Sequence, residues 1–332
     1  MPSEKNLTLA TAELQRQVDA GLILGGVFMT NDGTPPVACG QQRLLPSPAP
    51  MTVRSRFDMA STGKTFTASC LALLVCDGLL DPDAPFTRYL PEHQLGHDCD
   101  ITVRDLAMHV SGFSNDKPYR ANSYDELRRR IMRFMPVRPR HTAFEYSCGN
   151  FILLGLIVEA VSGRRLEDFA RERLWRPLGM TRTQWTAPGF GPDEVEHWFD
   201  RRPAGSHNDF VCFDCNEPLG SGSDFSTIDD SLRFLDDLAH RRLFPSAYYD
   251  LLSTCGVTLD TGVRRSFGWD MTPAKQPHTL SPNCLIHSGW TGQTICVDPS
   301  LGKAAAVLTS RLGDWTEAYH GRLRVIDLLL QP

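Results

Sequence analysis

Apolar residues recur along the chain with two periods, one typical of helices and one typical of strands. Residues 7–20 have the spacing of an amphipathic helix. The stretch 25–40, GGVFMTNDGTPPVACG, predicts two short strands around an Asn-Asp-Gly turn. After Ser61, the run FTASCLALLVCDGLL is apolar on most faces, which predicts a buried helix ending near Gly78.

The middle of the chain is predicted to be rich in helices, of which the clearest are Thr102–Met108, Ser123–Phe134, Asn150–Ser162, Leu166–Leu174 and Asp224–Ala239. Residues 186–223 are rich in Pro, Gly, Asp and aromatics, which predicts a long loop over a site. From residue 267 onward four strands are predicted in FGWDM, CLIHSGW, QTICVDP and KAAAVLTS, followed by a helix from about Thr316.

Strands near both ends and helices between them predict an α/β (α+β) fold. We expect an antiparallel sheet built from both termini and flanked by the terminal helices, with an inserted all-α lobe and the site between the two. The corresponding domain boundaries assign 1–60 and 225–332 to the sheet domain and 61–224 to the mostly helical domain.

Composition narrows the function classes. The 332 residues carry a formal net charge of −5 without a long Lys/Arg run, which argues against nucleic acid as a partner. No stretch approaches the roughly 18 uninterrupted apolar residues of a membrane helix, and the polar N-terminal segment lacks the apolar core of a secretory leader. Ten cysteines in such a chain predict reduced thiols and a cytoplasmic location.

Two spacings that resemble metal motifs are not expected to bind metal. Cys212 and Cys215 form one CxxC pair without a second pair at zinc spacing, so two thiols in a surface loop are the better interpretation. His93 and His97 lie four apart in a segment without an HExxH pattern. No cofactor is implied.

The stretch ASTGKT, residues 60–65, allows two interpretations. A phosphate-binding loop has the pattern GxxxxGK[ST], whose first glycine permits a turn that aims backbone N–H groups at phosphate. Here the residue five positions before Gly63 is Asp58, a carboxylate where the anion would lie. We therefore favour the other interpretation, a serine nucleophile at Ser61 with Lys64 one turn later.

The Ser-x-x-Lys spacing has a clear mechanical basis. At the start of a helix, Ser61 and Lys64 would lie on one face, and the helix N-terminus would stabilise negative charge on the serine oxygen. A buried lysine with a lowered pKa would accept the serine proton. By itself the spacing is weak evidence, because serine at a helix start is commonly only an N-cap.

Two further segments supply partners for this pair. FEYSCGNFILLGLIVEAVSG, residues 144–163, places Tyr146 just before a predicted buried helix. LIHSGWTGQTICVDP, residues 285–299, places His287-Ser288-Gly289 on a strand before a glycine-rich bend. Alone, each would be an ordinary half-buried aromatic or strand histidine; together and in this order they indicate a catalytic constellation.

With these motifs the chain resembles the serine β-lactamase and penicillin-binding protein superfamily, most of all its class C-like branch, which also contains carboxylesterases, transacylases and D-peptidases. That family has a Ser-x-x-Lys motif, a Tyr-x-Asn motif and a Lys/His-Thr/Ser-Gly strand. The resemblance extends from about residue 20 to 330 and includes ITVRDLAMHVSGF, FARERLWRPLGM and GSGSDFSTIDDSLRFL. It implies the β-lactamase/transpeptidase-like fold.

The resemblance also implies roles for the motif residues. Ser61 would be the acylated nucleophile, Lys64 its activating partner, and Tyr146 the group that moves protons between the serine, the leaving group and the acceptor. The oxyanion hole would be the backbone N–H groups of Ser61 and Trp290.

The strand residues would bind the substrate. His287 would occupy the family's cationic or hydrogen-bonding position beside the tyrosine, followed by Ser288 and Trp290. Gly289 would let the strand lie close to the substrate.

One position departs from the family pattern. Cys148 stands where the asparagine of Tyr-x-Asn is usual, and a thiol is a weaker hydrogen-bonding group than an amide. In the family that amide helps to hold the lysine and the amide group of peptide-like substrates. We therefore expect the substitution to weaken recognition of lactams and peptides while the Ser-Lys-Tyr machinery stays intact.

The expected function is acyl transfer through a covalent acyl-enzyme, by a cytosolic carboxylesterase or transacylase. The partners would be a small-molecule acyl donor and a water, alcohol or amine acceptor; neither nucleic acid nor a membrane is expected, and the oligomeric state stays open. An apolar wall for the acyl chain is expected from five aromatics, Phe190, Trp198, Phe210, Phe213 and Trp290. Two alternatives are a β-lactamase or D-peptidase type of amide hydrolase and a ligand sensor without turnover.

Overall fold

The computed structural model describes residues 3–197 and 202–331, and all structural statements below refer to these. The helices in chain order are α1 Glu4–Asp19, α2 Lys64–Cys76, α3 Val103–Met108, α4 Tyr124–Ile131, α5 Cys148–Ser162, α6 Leu166–Ala170, α7 Phe210–Cys215, α8 Ile228–His240, α9 Ser246–Ser253 and α10 Trp315–Leu330. The strands are β1 Ile23–Thr30, β2 Val37–Arg43, β3 Ala49–Pro50, β4 Phe57–Asp58, β5 Phe225–Ser226, β6 Val257–Thr258, β7 Arg264–Ser266, β8 Trp269–Asp270, β9 Leu285–Ser288, β10 Gln293–Asp298 and β11 Lys303–Arg311.

Nine strands form one antiparallel sheet in the order β3-β2-β1-β11-β10-β9-β8-β7-β6. The N-terminal strands meet the C-terminal strands at the β1–β11 pair, where Val27 lies opposite Leu308. The expected sheet built from both ends of the chain is confirmed.

Alternate side chains of this sheet enter two separate cores, as the two-residue period of a strand requires. Phe28, Ile286 and Val307 pack under α1 and α10. Val27 and Leu308 pack on the opposite side, in the larger core that contains α2, α5 and α8. The sheet is therefore covered by helices on both faces.

Helix α2 is buried along almost its whole length, as its apolar sequence predicts. It packs against α5 and α9 and ends at Cys76, two residues before Gly78, which has a φ of +71°. The Ser-x-x-Lys motif at the N-terminus of this helix therefore lies within the helical layer.

The structure differs from the prediction in several short elements. Strands β6 and β7 and helix α9 were not predicted; the two strands span only two and three residues, too few to show a period. Helix α8 begins at Ile228, and the preceding Phe225–Ser226 is strand β5, paired with β4. This β4–β5 pair lies beside the expected domain junctions, but the domain boundaries themselves stay a prediction.

The segment 186–223 is not a loop throughout, because it contains α7. The Asp209 carboxylate caps this helix by accepting from the backbone N–H groups of Val211 (2.8 Å) and Cys212 (3.3 Å). Cys212 and Cys215 are therefore buried on a short helix, and the prediction of a surface loop at these residues was wrong.

Within residues 3–197 and 202–331, no helix is long and apolar enough to cross a membrane. No three His, Cys, Asp or Glu side chains in the same ranges are grouped so as to hold a metal ion.

Candidate active site

Ser61 lies in a tight turn, a 3-10 segment over Ala60–Gly63 that leads directly into α2. Ala60 has a φ of +46°, an unfavourable conformation for a residue with a side chain. The turn is held by the Asp58 carboxylate, which accepts from the backbone N–H groups of Ala60 and Asn208, both at 2.7 Å. Asp58 thus occupies one backbone donor of the turn itself, that of Ala60, and ties the turn to the segment at Asn208.

A glycine-serine segment covers the other side of this turn. The Ser223 N–H donates to the Ala60 carbonyl at 2.9 Å. Gly222 has a φ of +115°, and a Cβ there would lie 2.0 Å from the Ala60 oxygen, so only glycine fits. This contact explains why the stretch GSGSD contains a glycine at position 222. The resemblance of that stretch to the family had not by itself indicated a role for it.

Lys64 is fully buried, and its ammonium joins the nucleophile to the surrounding elements. Nζ donates to Ser61 Oγ at 3.1 Å and to the Ser221 carbonyl at 2.5 Å, and it lies 3.7 Å from Cys148 Sγ. It is 5.0 Å from the centre of the Tyr146 ring. The expected contact between Ser61 and Lys64 is therefore present.

The expected protonation of Lys64 was wrong. Burial opposes its positive charge, but the acidic groups of Cys148 and Tyr146 beside it favour the ammonium more strongly, so its pKa is raised. Lys64 is therefore an ammonium in the resting protein. It donates a hydrogen bond to the Ser61 hydroxyl oxygen and has no free lone pair with which to act as a base.

Tyr146 packs against His109, a histidine that was not predicted from the sequence to be part of the site. Its ring is 4.5 Å from that of His109, with a 34° angle between the planes. Burial lowers the pKa of His109 well below its usual value, and its Nδ1 accepts from the Ser147 N–H at 3.2 Å. The sequence did contain a signal for this histidine, because His109 lies in ITVRDLAMHVSGF, one of the stretches that resemble the family.

The Tyr146 hydroxyl is buried and lines the same cavity as Ser61. Its interaction with the Lys64 side chain is one of the causes that raise the pKa of Lys64.

Cys148 begins α5 and faces the same cavity. Its backbone N–H donates to Asn115 Oδ1 at 3.0 Å. An amide side chain is thus present beside Cys148, although it comes from Asn115 in the loop after α3 and not from the position that the family uses.

His287 and Ser288 end strand β9 at the cavity. Burial, together with the charges of Arg265 and Lys64, lowers the pKa of His287 to about 3, so this histidine is neutral at pH 7. Of the two roles left open for this position, the neutral imidazole favours the hydrogen-bonding one. Ser288 Oγ is 3.2 Å from Thr294 Oγ1.

Gly289 brings the end of β9 against the nucleophile turn. A Cβ at this position would lie 2.7 Å from the Met59 carbonyl oxygen and 2.5 Å from Gln293 Oε1. The absence of a side chain at Gly289 thus lets β9 approach the turn that carries Ser61, and the expected approach to the substrate stays a prediction. Trp290, the next residue, lines the same cavity as Ser61.

One cavity of about 850 Å³ unites these groups. Its wall includes Ser61, Tyr146, Cys148, His287, Ser288 and Trp290 together with Phe144, Phe210, Trp315 and Tyr319. Of the five aromatics expected to form an apolar wall, Phe210 and Trp290 line the cavity. Phe190 and Phe213 do not belong to its lining, and Trp198 lies outside the described residues.

Behind the nucleophile turn lies a second buried carboxyl, Asp224. Burial and the neighbouring Asp58 raise its pKa well above the usual value, and burial raises the pKa of Asp58 to about 6. Neither Asp224 oxygen has a hydrogen-bond partner among the described residues. Burial therefore favours the protonated form of Asp224 in the folded protein.

A model of the beta-lactamase family matches residues 12–328. The chain belongs to the beta-lactamase family. This membership places it among the serine hydrolases and acyltransferases that share the fold.

Individual relatives of this beta-lactamase-family protein are distant. An N-acetylmuramyl-L-alanine amidase of Bacillus subtilis (strain 168) is 26% identical, over 93% of this chain and 82% of the amidase. The solved structure of EstCE1, a hydrolase with promiscuous acyltransferase activity, superposes with a TM-score of 0.80 at 18% identity, covering 98% of this chain and 99% of EstCE1. A class C beta lactamase gives a TM-score of 0.80 at 17% identity, with 97% of both chains covered. These structures show the shared fold, and the expected β-lactamase/transpeptidase-like architecture is confirmed.

Proposed function

We propose that the protein transfers acyl groups from small-molecule esters through an acyl-enzyme on Ser61, as a carboxylesterase or a transacylase. The observation that carries the proposal is the contact of the Lys64 ammonium with Ser61 Oγ, beside Tyr146 in one cavity. A buried serine–lysine contact at the start of a helix serves nucleophilic catalysis better than it serves packing.

The raised pKa of Lys64 decides how the proton moves in this proposal. The ammonium cannot take the Ser61 proton, so we assign this step to Tyr146 as its phenolate, whose negative charge the Lys64 ammonium balances. The phenolate Oη receives the Ser61 proton and becomes a hydroxyl while Ser61 Oγ bonds to the substrate carbonyl. The backbone N–H groups of Ser61 and Trp290 stabilise the resulting oxyanion. Tyr146 then gives the proton to the leaving group as its bond to carbon breaks.

The second half of the reaction reverses these steps with a new partner. Tyr146 removes a proton from water, an alcohol or an amine, which attacks the acyl carbonyl, and returns that proton to Ser61 as the acyl group departs. Water gives hydrolysis, and an alcohol or amine gives transfer.

Esters are favoured over lactams and peptides because Cys148 replaces an amide at the cavity wall. The fold neighbour EstCE1, a hydrolase with promiscuous acyltransferase activity, supports this preference, whereas the Bacillus subtilis amidase supports an amide hydrolase as the second candidate. The ten unpaired cysteines support placement in a reducing compartment, which for this protein would be the cytoplasm.

The test is a pre-steady-state measurement with 4-nitrophenyl acetate, with Ser61→Ala as the control. We expect a burst of 4-nitrophenol followed by sustained turnover, both absent in Ser61→Ala. One equivalent of product without turnover would instead identify a ligand sensor. A faster reaction with a D-amino acid 4-nitroanilide than with the ester would favour the amide hydrolase.

A further inference from the structure

Asp58 is a buried carboxylate directly behind the cavity wall, three residues before Ser61. It is only 1% exposed, and it contacts three separate parts of that wall. Its carboxylate accepts from the backbone N–H groups of Ala60 and Asn208, and its carbonyl oxygen lies 3.0 Å from Thr291 Oγ1. All three neighbours line the cavity, so Asp58 joins the nucleophile turn, the segment before α7 and the loop after β9.

The contact with Ala60 holds a strained backbone conformation next to the nucleophile. Ala60 has a φ of +46°, and both of its backbone polar groups are bound: the N–H by Asp58 Oδ1 at 2.7 Å and the carbonyl by the Ser223 N–H at 2.9 Å. The Ala60 carbonyl belongs to the same peptide plane as the Ser61 N–H, the proposed oxyanion donor. The orientation of that donor therefore depends on the groups that hold Ala60.

No cation balances the Asp58 charge among the described residues. The ionisable groups that face Asp58 are all acidic: Asp224 from the paired strand side, Asp209 at the cap of α7, and the Cys212 thiol within α7. The Asp209 charge is already paired with Lys117. Burial raises the pKa of Asp58 to about 6, so its carboxyl group changes charge in the range where enzymes of this type are assayed.

The two forms of this carboxyl group differ in what they can accept. Ionised, Asp58 offers one oxygen to the Ala60 N–H and the other to the Asn208 N–H, both at 2.7 Å. Protonated, one of the two oxygens carries a hydrogen and becomes a donor, so that it is a poor partner for a second N–H group. Protonation therefore weakens one of the two contacts that join the turn to the segment before α7.

We infer that Asp58 is the positioning residue of the nucleophile turn: as a carboxylate it holds Ser61 in the geometry for acylation, and protonation of Asp58 releases the turn and slows acylation. This inference rests on the proposed function and adds a control by pH to its site. The control acts from behind the cavity wall, through the backbone of Ala60, without contact between Asp58 and substrate.

Asp58→Asn tests the inference with a side chain of nearly the same size. The amide has one acceptor oxygen, and its NH2 group would face a backbone N–H, so both contacts cannot form. At pH 7.5 we expect the burst rate constant with 4-nitrophenyl acetate to fall about 10-fold or more.

The pH profile separates positioning from a loss of stability. From pH 7.5 to pH 5 the ionised fraction of a group with a pKa near 6 falls about 10-fold. The burst rate constant of the unmodified protein should therefore fall about 10-fold more over this range than that of Asp58→Asn. Titration of Tyr146 is common to both proteins and cancels in this ratio.

Asp230→Asn is the matched control. Asp230 is also buried, its pKa is also raised by burial, and it accepts from the Arg182 backbone N–H at 2.8 Å, but it lies in α8 and does not line the cavity. This variant should keep the burst rate constant within about 3-fold and retain the pH profile of the unmodified protein. The same pH profile in Asp58→Asn as in the unmodified protein would overturn the inference.

Hydrogen exchange of the Ala60 amide reads the turn without turnover. Corrected for the intrinsic exchange rate, its protection in the unmodified protein should fall about 3-fold or more between pH 7.5 and pH 5, and it should be low at both pH values in Asp58→Asn. The unmodified protein alone decides the question if the variant does not fold. Protection that follows Asp58 in a protein that does not turn over esters would contradict only the proposed function, whereas protection that is independent of pH would overturn the inference.

Discussion

At the scale of single residues, Lys64 lies beside both Ser61, the proposed nucleophile, and Tyr146, the proposed acid–base group. Its ammonium contacts Ser61 Oγ, the Ser221 carbonyl and the Cys148 thiol, and it lies near the Tyr146 ring. In the proposed mechanism Lys64, whose pKa is raised, holds charge while Tyr146 moves protons, so the two residues would serve the same step.

We expect Lys64→Ala and Tyr146→Phe each to reduce kcat/KM for 4-nitrophenyl acetate by about 100-fold or more. The double variant should lose little more than either single variant, because groups that share one proton transfer are non-additive. The measurement is a double-mutant cycle with folding checked by circular dichroism. Additive losses would assign the residues to separate steps.

The second prediction at the scale of single residues concerns Cys148. Cys148→Asn should raise the rate constant for cephalosporin acylation by about one to two decades, because an unpaired buried substrate amide costs about 1–3 kcal/mol. Ester turnover should change less. Cys148→Ser has similar size without an amide and is the matched control.

Stability of the Cys148 variants has to be measured in parallel by urea unfolding, because asparagine is bulkier than cysteine. Efficient cephalosporin hydrolysis by the unmodified protein would show that the thiol is no handicap and would remove the argument for an ester preference.

At the scale of elements, the active site depends on the approach of β9 to the turn before α2. Gly289 makes this approach possible, since a Cβ there would lie 2.7 Å from the Met59 carbonyl oxygen. Trp290, which follows Gly289, and Ser61 both line the cavity. The spacing of the two proposed oxyanion donors would therefore depend on Gly289.

Gly289→Ala should displace β9 from the turn, lowering kcat about 10-fold or more and the free energy of unfolding by about 1–3 kcal/mol. Gly191→Ala is the matched control, because a Cβ there meets its nearest neighbour, Glu194 Cγ, at 3.4 Å. Kinetics and urea unfolding of both variants make the comparison. Unchanged kcat in Gly289→Ala would show that this contact does not set the site geometry.

The elements also show how far the sequence allows prediction. Helices α2 and α5 and strands β10 and β11 have long apolar patterns and were predicted. Strands β6 and β7 were not predicted, because they have no periodic pattern and form only by pairing with a neighbouring strand. Arg265 comes to the cavity from β7, and His109, which directly follows α3, lies against Tyr146. Both are distant in sequence from Ser61, so their positions could be seen only in the three-dimensional arrangement.

At the scale of the whole molecule, buried acids couple stability to pH. In the folded protein the pKa of Asp224 is raised by burial and by Asp58, whereas in the unfolded chain it has its ordinary value. The folded state thus retains a proton that the unfolded state releases, and stability is lost as pH rises toward the folded pKa. Asp58 contributes in the same direction between its ordinary value of 3.8 and about 6.

Asp224→Asn removes this titration and should increase the free energy of unfolding more at pH 8 than at pH 5, by about 1 kcal/mol or more. The exposed Asp260, changed to Asn, is the control and should show no such difference. Urea unfolding at both pH values measures the effect. An equal change at pH 5 and pH 8 would contradict the assignment of Asp224 as a protonated acid.

The central claim is that Ser61 carries the acyl group, and intact-protein mass spectrometry tests it most directly. After incubation with a panel of esters, thioesters, amides and lactams, the account predicts a single acyl adduct, mapped by peptide digestion to Ser61. The adduct should be absent in Ser61→Ala, which loses one small hydroxyl and should remain folded. An adduct that persists in Ser61→Ala at another residue, such as Cys148, would contradict the account.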